Sequence, residues 1–405
     1  MMPVDEQLAV LSRRCERILT EDDLRKKLEK SAKTSTPLRI KLGMDPTAPD
    51  VTLGHAVPLR VVRQFQDWGH KAVLIIGDYT ARVGDPTGRN ELRPQQDGAT
   101  IDRNAHTYVT QVGKILLTGP QHLEIRYNGE WLAKLTTMDM IKLLSRKTVA
   151  QLLGREDFHN RFASRADIHL HELVYPLFQG LDSVKIHADV EMGGSDQLFN
   201  NLVGREFQQE DTPDDPLAGQ VVIVTPLLVG TDGHIKMSKS RGNYIGVTDP
   251  PSGSNGMFGK IMSLPDSVLP MYYTLLTDRP TGAFRTEIAE RPRDAKIALA
   301  RYVVTWLHSA DAAHAAEAEF IKQFVRHETP DEMPEVAVGP GPHKLAPLIV
   351  HVGLASSNSE AARKIREGAV SLDGTKVAAD EFQKVLTLGS PLVLKLGRKY
   401  VRLIP

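Results

Sequence analysis

The chain has almost no cysteine. Cys15 is the only one in 405 residues, which excludes an intrachain disulfide and a cysteine-cluster zinc site and fits a reducing compartment. There is no excess of charge: 50 Lys and Arg balance 50 Asp and Glu, so the molecule as a whole gives no electrostatic argument for binding nucleic acid. No run of about 18 uncharged apolar residues occurs, so no membrane span is expected. The start, Met1 to Leu11, carries Asp5 and Glu6 and lacks the apolar stretch of a secretory signal. Two nucleotide fingerprints are also missing. There is no Gly-x-x-x-x-Gly-Lys-Ser/Thr loop and no Gly-x-Gly-x-x-Gly after a strand. A nucleotide would have to be held in another way.

What is present is an ordinary globular composition, with 41% hydrophobic and 25% charged residues. The length calls for two or three domains. Residues 5–33 read as one or two charged amphipathic helices. Pro37 to Gly43 is a short apolar run, followed by a turn rich in Pro and Asp and by a helical segment from Gly54 to Trp68. Lys71 to Gly77 reads as a fully buried strand. Strand, helix and strand in that order form a βαβ unit and favour a parallel sheet. Leu123 to Tyr127, Val184 to Glu191 and Val221 to Val224 are further strand candidates. The expected fold is α/β: a doubly wound, Rossmann-like parallel-sheet domain over residues 1–225, then a lysine-bearing loop region over 226–250. The pattern turns helical over 251–327, with Arg293 to Leu307 carrying apolar residues at helical spacing. Residues 328–343, with four prolines and two glycines, read as a linker, and 344–405 as a small separate α+β module.

That last module breaks the overall charge balance. It holds ten Lys and Arg against five acids, which suits a polyanion partner as well as it suits a merely solvated surface. Its segment Ser359 to Gly368 reads as a capped helix bearing Arg363, Lys364 and Arg366. Gly397 to Arg402 reads as a terminal strand bearing Arg398, Lys399 and Arg402, with Tyr400 among them, a combination that suits a folded RNA backbone.

Two segments carry the strongest chemistry. Thr52-Leu53-Gly54-His55 stands between the first strand and its helix, where open α/β sheets bind ligands and a helix start favours phosphate. Gly54 lets a ligand approach the backbone, and His55 can donate to a phosphate or ribose oxygen. About 180 residues later, Lys236-Met237-Ser238-Lys239-Ser240 lies among Gly230, Gly233 and Gly242 and can close a cationic clamp over a polyphosphate. Alone, each is weak, since Gly-His is a plausible cap and surface loops are often rich in Lys and Ser. Tyr175, Gln179 and Asp182 share one helix face, and apolar Leu173, Val174, Leu177, Phe178 and Leu181 around them argue against an exposed surface. The run His169-Leu170-His171-Glu172 lacks the i, i+4 histidine pair of a zinc helix, so a structural role is expected there and no metal site.

Taken together, these segments resemble the two signature motifs of class I aminoacyl-tRNA synthetases. Gly84-Asp85-Pro86-Thr87-Gly88, the Tyr175/Gln179/Asp182 face and Gly193-Gly194-Ser195-Asp196-Gln197 narrow the resemblance to bacterial tyrosyl-tRNA synthetases. Residues 344–405, with Gly353-Leu354-Ala355-Ser356-Ser357-Asn358, resemble an S4 RNA-binding domain. The resemblance implies activation of L-tyrosine by ATP, with Mg²⁺ accompanying the nucleotide, and transfer to tRNA(Tyr) by a cytoplasmic homodimer. It implies that Thr47, His55, Lys236 and Lys239 act on the phosphates. It places Asp45, Thr52, Gly54, Gly194, Asp196, Met237 and Ser238 at ATP. Lys41, Gly43, Asp45, Thr80, Asp85, Tyr175, Gln179, Asp182 and Gln197 would line the tyrosine pocket, with Asp182 accepting the phenol proton. The basic residues of the last module would meet tRNA. Two positions depart from the family. Thr52 stands where a histidine is common, and Lys41 where many members have a tyrosine. A tryptophanyl enzyme, a catalytically decayed RNA-binding relative and another adenylyl transferase are the competing readings; the phenol-seeking Asp182, the complete lysine loop and the S4-like tail each argue against one of them.

Overall fold

A computed structural model describes residues 2–84, 98–253, 255–324, 333–397 and 399–405. It divides into two compact units, one of residues 1–249 with 263–299, the other of 250–262 with 300–405.

The first unit is built on a six-stranded sheet. Its strands are β1 (Arg17–Leu19), β2 (Arg39–Met44), β3 (Lys71–Ile76), β4 (Leu123–Tyr127), β5 (Val190–Gly194) and β6 (Val221–Thr225), in the spatial order β1-β6-β5-β2-β3-β4. Every pairing is parallel except that of the short edge strand β1 with β6. Strands buried on both faces read as continuous apolar runs, and β3 and β6 are such runs: Ala72 to Ile76 and Val221 to Val224 are all buried. The chain moves outward from β2 to β3 and β4, then returns to β5 on the other side of β2. The ends of β2 and β5 therefore flank the switch point, where a doubly wound sheet opens a crevice. The helix Leu53–Asp67 leaves that crevice; it buries Leu53, Ala56, Val57, Leu59, Val61, Val62 and Phe65 and carries Pro58 inside it, where the missing N–H leaves the carbonyl of Gly54 without its usual helical donor. The helix Leu170–Lys185 packs across another part of the site and buries Tyr175, Leu177, Phe178, Asp182 and Ser183.

The strand expected over Val184–Glu191 is corrected to Val190–Gly194, because the Leu170 helix continues to Lys185. Val184 and Ile186 are apolar as a strand would require, but they serve the last turn of a helix and the loop after it. Cys15 ends the helix Val4–Arg14, its backbone N–H donating to Leu11 O; burial pushes its thiol up to about 12.

The second unit holds the helices Met257–Met262 and Ala310–Phe324, and a β-rich C-terminal part. There, β7 (Glu335–Ala337), β9 (Val370–Leu372), β10 (Thr375–Lys376), β12 (Leu392–Leu396) and β13 (Lys399–Ile404) form one sheet, and β8 (Gly341–Lys344) pairs with β11 (Val385–Leu388). The helices Leu345–His351 and Asn358–Arg366 close its core with Leu345, Leu348, Ile349, Ala361 and Ile365 against Val370, Leu394, Val401 and Leu403. Ser357 caps the second helix by accepting from Glu360 N–H. Of the segment expected as a linker over 328–343, the described residues include β7 and most of β8. Pro342 is compatible with β8 because that strand has a neighbour on one side only. Among the described residues, no helix is long and apolar enough to cross a membrane.

Candidate active site

Lys41, Gly43 and Asp45 alternate along β2 and its end, so they share one face. Opposite them runs the Leu170 helix. Tyr175 Oη donates to Asp45 Oδ2 at 3.0 Å, and Lys41 Nζ donates to Gln179 O at 2.9 Å and to Ser183 Oγ at 2.7 Å. Between these fixed ends, a Cβ on Gly43 would have nothing within 4 Å. The absent side chain leaves a slot.

One wall of the slot is a continuous relay. Thr80 Oγ1 donates to Asp45 Oδ1 at 2.8 Å, Asn128 Nδ2 donates to Thr80 Oγ1 at 3.0 Å and to Asp182 Oδ2 at 3.2 Å, and Trp131 Nε1 donates to Asp182 Oδ1 at 2.8 Å. Gly77 permits it: a Cβ there would lie 1.9 Å from Asp45 Oδ1 and 2.3 Å from Thr80 Oγ1. Asp182 is 4% exposed. Burial pushes its carboxyl up to about 7; Lys41, Trp131 and Asn128 oppose the rise, while Glu191 adds to it. A carboxylate held this dry, with both oxygens already met by N–H donors, suits one further hydroxyl donor.

Gln179 Nε2 donates to Glu191 Oε1 at 3.1 Å, and Gln179 Oε1 accepts from Asn200 Nδ2 at 3.1 Å. The same Asn200 group donates to Gln197 Oε1 at 3.1 Å. Asp85 lies outside the described residues. Lys41 differs from its expected place against the substrate. It is fully buried, paired with Glu191 Oε1 at 2.9 Å, and its three donors are met by Glu191, Ser183 and Gln179. It holds the floor of the slot and presents no open N–H to it.

The two signature segments meet. Leu53 N–H donates to Ile245 O and Val247 N–H to Val51 O, both at 2.8 Å. A Cβ on Gly54 would stand 3.7 Å from Met237 Cβ, and Met237 is 5% exposed. Met237, expected at ATP, packs the lysine loop onto the helix start, an approach that Gly54 allows. Lys239 Nζ donates to Asp50 O and Tyr108 Oη, each at 2.7 Å. Lys236 Nζ pairs with Asp196 Oδ2 and is half-exposed. The loop thus reaches from the end of β2 to the residues just after β5. Ser238 N–H donates to Asn243 Oδ1 at 2.8 Å and Ser238 Oγ contacts Ser240 Oγ at 3.0 Å. Thr47 N–H donates to Asp45 O at 2.8 Å, which tightens the turn after β2.

Thr52 and His55 close the helix start. Thr52 N–H and Thr52 Oγ1 both approach His55 Nδ1, at 3.1 and 2.8 Å. A ring nitrogen that accepts carries no proton, so the neutral imidazole bears its hydrogen on Nε2 and is a fixed donor. Burial, then the charges of Lys239 and Lys236, push its pKa down to about 3. Thr52, expected at ATP, is 2% exposed, and its hydroxyl contacts the imidazole. Gly194 ends β5, and a Cβ on it would lie 2.7 Å from Leu227 and 2.8 Å from Asp196 Oδ1. His169 and His171 have rings 5.8 Å apart; Glu172 beside them is paired with buried Arg161 at 2.6 Å.

Several contributors were not singled out from the sequence. Asn128 and Trp131 follow β4, and their only signal was a position just past a strand's C-terminal end. Glu191 had a clearer one, a charged residue inside an apolar parallel strand, as Lys41 is. Asn243 and Tyr108 had none. Gly43 gives a direct test of the slot. Gly43→Val should fold with an unchanged melting temperature, because its side chain enters open space, while a ligand seated in the slot should lose affinity by 100-fold or more (about 2.7 kcal/mol or more). Thermal melts with and without the amino acid expected there measure both.

The comparisons with known proteins bear on the family and the fold. A family model described as tRNA synthetases class I (W and Y) matches residues 33–325, and one for a tyrosine–tRNA ligase SYY-like C-terminal domain matches 326–403. The tyrosine–tRNA ligase of Moorella thermoacetica is 46% identical over 99% of this chain and 96% of its own length. That of Bordetella pertussis is 45% identical over 98% and 96%. The solved structure of a C-terminally truncated mitochondrial tyrosyl-tRNA synthetase from Coccidioides posadasii superposes with a TM-score of 0.62 at 25% identity, covering 77% of this chain and 91% of that one. A tyrosyl-tRNA synthetase from Archaeoglobus fulgidus, solved with L-tyrosine, gives 0.61 at 23% identity, covering 78% and 100%. A buried carboxylate at the floor of a slot, and a lysine loop seated on a helix start across the switch point, are thus features of a chain that belongs to the tyrosine–tRNA ligases of class I.

Proposed function

We propose that the slot binds L-tyrosine with its phenol at Asp182 and its ammonium toward Asp45 and Tyr175, and that ATP lies between the Thr52–His55 helix start and the lysine loop. The observation that carries this reading is the relay from Asp45 through Thr80 and Asn128 to Asp182, which joins an anionic end to a hydroxyl-seeking end. A relative of this fold solved with L-tyrosine supports the same occupant. Gln179 and Gln197 complete the polar lining, and Asp85 is a further candidate for the ammonium.

In the first step, a tyrosine carboxylate oxygen attacks the α-phosphorus of ATP, and the bond to the bridging oxygen of pyrophosphate breaks. No enzyme nucleophile is needed; positioning and stabilisation of growing phosphate charge do the work. His55 Nε2–H and Thr47 are assigned to the phosphates near the helix start, Lys236 and Lys239 to the leaving pyrophosphate, and Asp196 and Gly194 to the ribose side. Mg²⁺ accompanies ATP and supplies charge neutralisation. Asp196 is engaged by Lys236, and Asp45 by Tyr175 and Thr80, so the ion is assigned to phosphate oxygens and water, not to a protein cage. In the second step, a terminal ribose hydroxyl of tRNA(Tyr) attacks the mixed anhydride and AMP leaves. Pyrophosphate exchange into ATP, measured with tyrosine, phenylalanine and tryptophan, tests the assignment. Exchange with tyrosine alone is expected, and exchange with tryptophan alone would overturn it.

The C-terminal part is assigned to tRNA. Arg363 and Arg366 are exposed on one helix, Lys364 is partly covered, Lys399 is exposed on β13 and Arg402 is half-exposed; Arg398 lies outside the described residues. Among the described residues, Arg363 and Lys364 pair with Glu367 at the surface, an attachment that phosphate displaces readily. Reversing both arginines (R363E/R366E) should raise KM for tRNA about tenfold or more and leave pyrophosphate exchange unchanged.

A homodimer in the cytoplasm completes the reading. Met138, Ile141, Leu144, Val149, Phe162 and Leu170 are large apolar side chains exposed on the first unit, Leu170 by 81%. They are assigned here to an association face. Leu170→Asp should convert a dimer to monomers by light scattering; an unchanged mass would move the interface elsewhere.

A further inference from the structure

Lys41 and Glu191 stand opposite each other as partners on the neighbouring parallel strands β2 and β5. They form a salt bridge of 2.9 Å with side chains 0% and 1% exposed. Taking two charges out of water is expensive, and a well-packed apolar pair of similar size would often be as stable or more so. Stability alone therefore does not account for the pair. Its surroundings suggest what does. Glu191 Oε1 accepts from Gln179 Nε2, and Glu191 Oε2 accepts from Ser183 Oγ at 3.0 Å and from Gln220 Nε2. Lys41 reaches the backbone oxygen of Gln179 and the hydroxyl of Ser183, the residue next to Asp182. Both charges thus grip the turn of the Leu170 helix that carries Gln179 and Asp182, one through the Gln179 side chain and the other through its backbone.

We propose that Lys41 and Glu191 are positioning residues for tyrosine recognition, a buried pair that fixes the Gln179 amide and supports the negative charge of Asp182 from beneath the slot. The inference rests on Asp182 as the phenol acceptor. The charged groups acting on Asp182 are Lys41 from β2, which favours its ionised form, and Glu191 from β5, which opposes it more weakly; Trp131 and Asn128 add neutral donors. An acceptor for a phenol works best ionised, so the pair tilts the site toward tyrosine near neutral pH. Gln179, with Nε2 held by Glu191, keeps its carbonyl oxygen on Asn200 Nδ2, and the second lone pair of that oxygen is what it can offer an ammonium.

The test uses the full-length chain with Lys41→Met, Glu191→Gln and the double variant, each checked by thermal melt. The readout is kcat/KM for tyrosine in pyrophosphate exchange from pH 5.5 to about 9, together with tyrosine-induced thermal shifts. In the parent protein, kcat/KM should fall on the acid side as Asp182 takes a proton. Lys41→Met should move that fall to higher pH, and Glu191→Gln should move it to lower pH, by about one pH unit. KM for tyrosine should rise about tenfold or more in each, with kcat at high pH within about threefold. Opposite displacements are the signature of charge acting on Asp182; a merely structural loosening would move both variants the same way. Lys41 acts more strongly than Glu191, so the double variant, which leaves no unpaired charge, should show a smaller displacement to higher pH. If a single variant does not fold, the double decides. An inflection unmoved in the double, or displacements of one sign in the singles, overturns the proposal. A parent protein with no acid-side fall would place the fault in the role given to Asp182, not in the pair.

Discussion

Lys239→Ala should lower the rate of tyrosyl-adenylate formation about 100- to 1,000-fold while leaving KM for tyrosine nearly unchanged. The range follows from what one preorganised charge or donor contributes where negative charge develops, about 2.7–4 kcal/mol. Lys239 is placed for that role. Its ammonium is brought to the helix start by Asp50 O and Tyr108 Oη, and Met237 seats the loop on Gly54. In the ligand-free chain Ala48 O also lies within its reach, at 3.5 Å; in the transition state it is assigned to the pyrophosphate oxygens. A loss expressed in kcat, and not in KM for ATP, marks an interaction made mainly in the transition state. Stopped-flow measurement of adenylate formation gives both. Ser240→Ala, which removes an exposed hydroxyl from the same loop, is the control and should stay within about threefold of the parent. Adenylation undiminished in Lys239→Ala would show that the clamp has been assigned to the wrong residue.

Asp182→Asn is the second large effect. Asp182 meets Trp131 Nε1–H and Asn128 Nδ2–H through its two oxygens. An amide keeps one oxygen and replaces the other with an NH₂ group facing a donor. The phenol then loses a charged acceptor, and one neighbouring N–H loses its partner. A hydrogen bond to a charged group contributes about 1.5–3 kcal/mol, so tyrosine should bind about 10- to 150-fold more weakly. Phenylalanine, which offers no hydroxyl, should lose little, and the preference between the two should shrink by a similar factor. Competition in pyrophosphate exchange measures it. Equal losses for both amino acids would remove the phenol from Asp182.

The same residue links recognition to pH. Its folded pKa of about 7 lies above the ordinary value of 3.8. The native state therefore holds the proton longer than the unfolded chain does. The stability this gives is complete below about 3.8 and is lost as pH rises through about 7. Asp182→Asn has no such dependence. Its melting temperature relative to the parent should climb between those two values, while tyrosine affinity in the parent falls on the acid side. Stability and binding thus respond to pH in opposite senses at one carboxyl.

The sheet was readable where its strands are buried on both faces. Lys71 to Ile76 and Val221 to Thr225 are apolar runs, and burial on both sides is what such runs require. The sequence failed to distinguish Val184 and Ile186 from a strand, because a helix end buried against a sheet has the same composition. It gave no sign of β1, a three-residue edge strand whose pairing is antiparallel. Pro342 and Gly341 suggested a linker, although an edge strand accommodates both. In the site, the two signatures stood out because phosphate chemistry restricts their residue types. Lys41 marks the limit. Its charge was visible, but only the pairing of β2 with β5 sets it against Glu191 and away from open space. Asn128 and Trp131 likewise acquire their meaning from the strand order and not from their neighbours in sequence.

Cys15, the lone thiol, has practical value for studying how the lysine loop moves. With its thiolate suppressed until about pH 12, it should ignore maleimides at neutral pH. A cysteine introduced at exposed Ser240 would then be the only fluorophore attachment point, and the opening and closing of the clamp could be followed in real time without first removing any native residue.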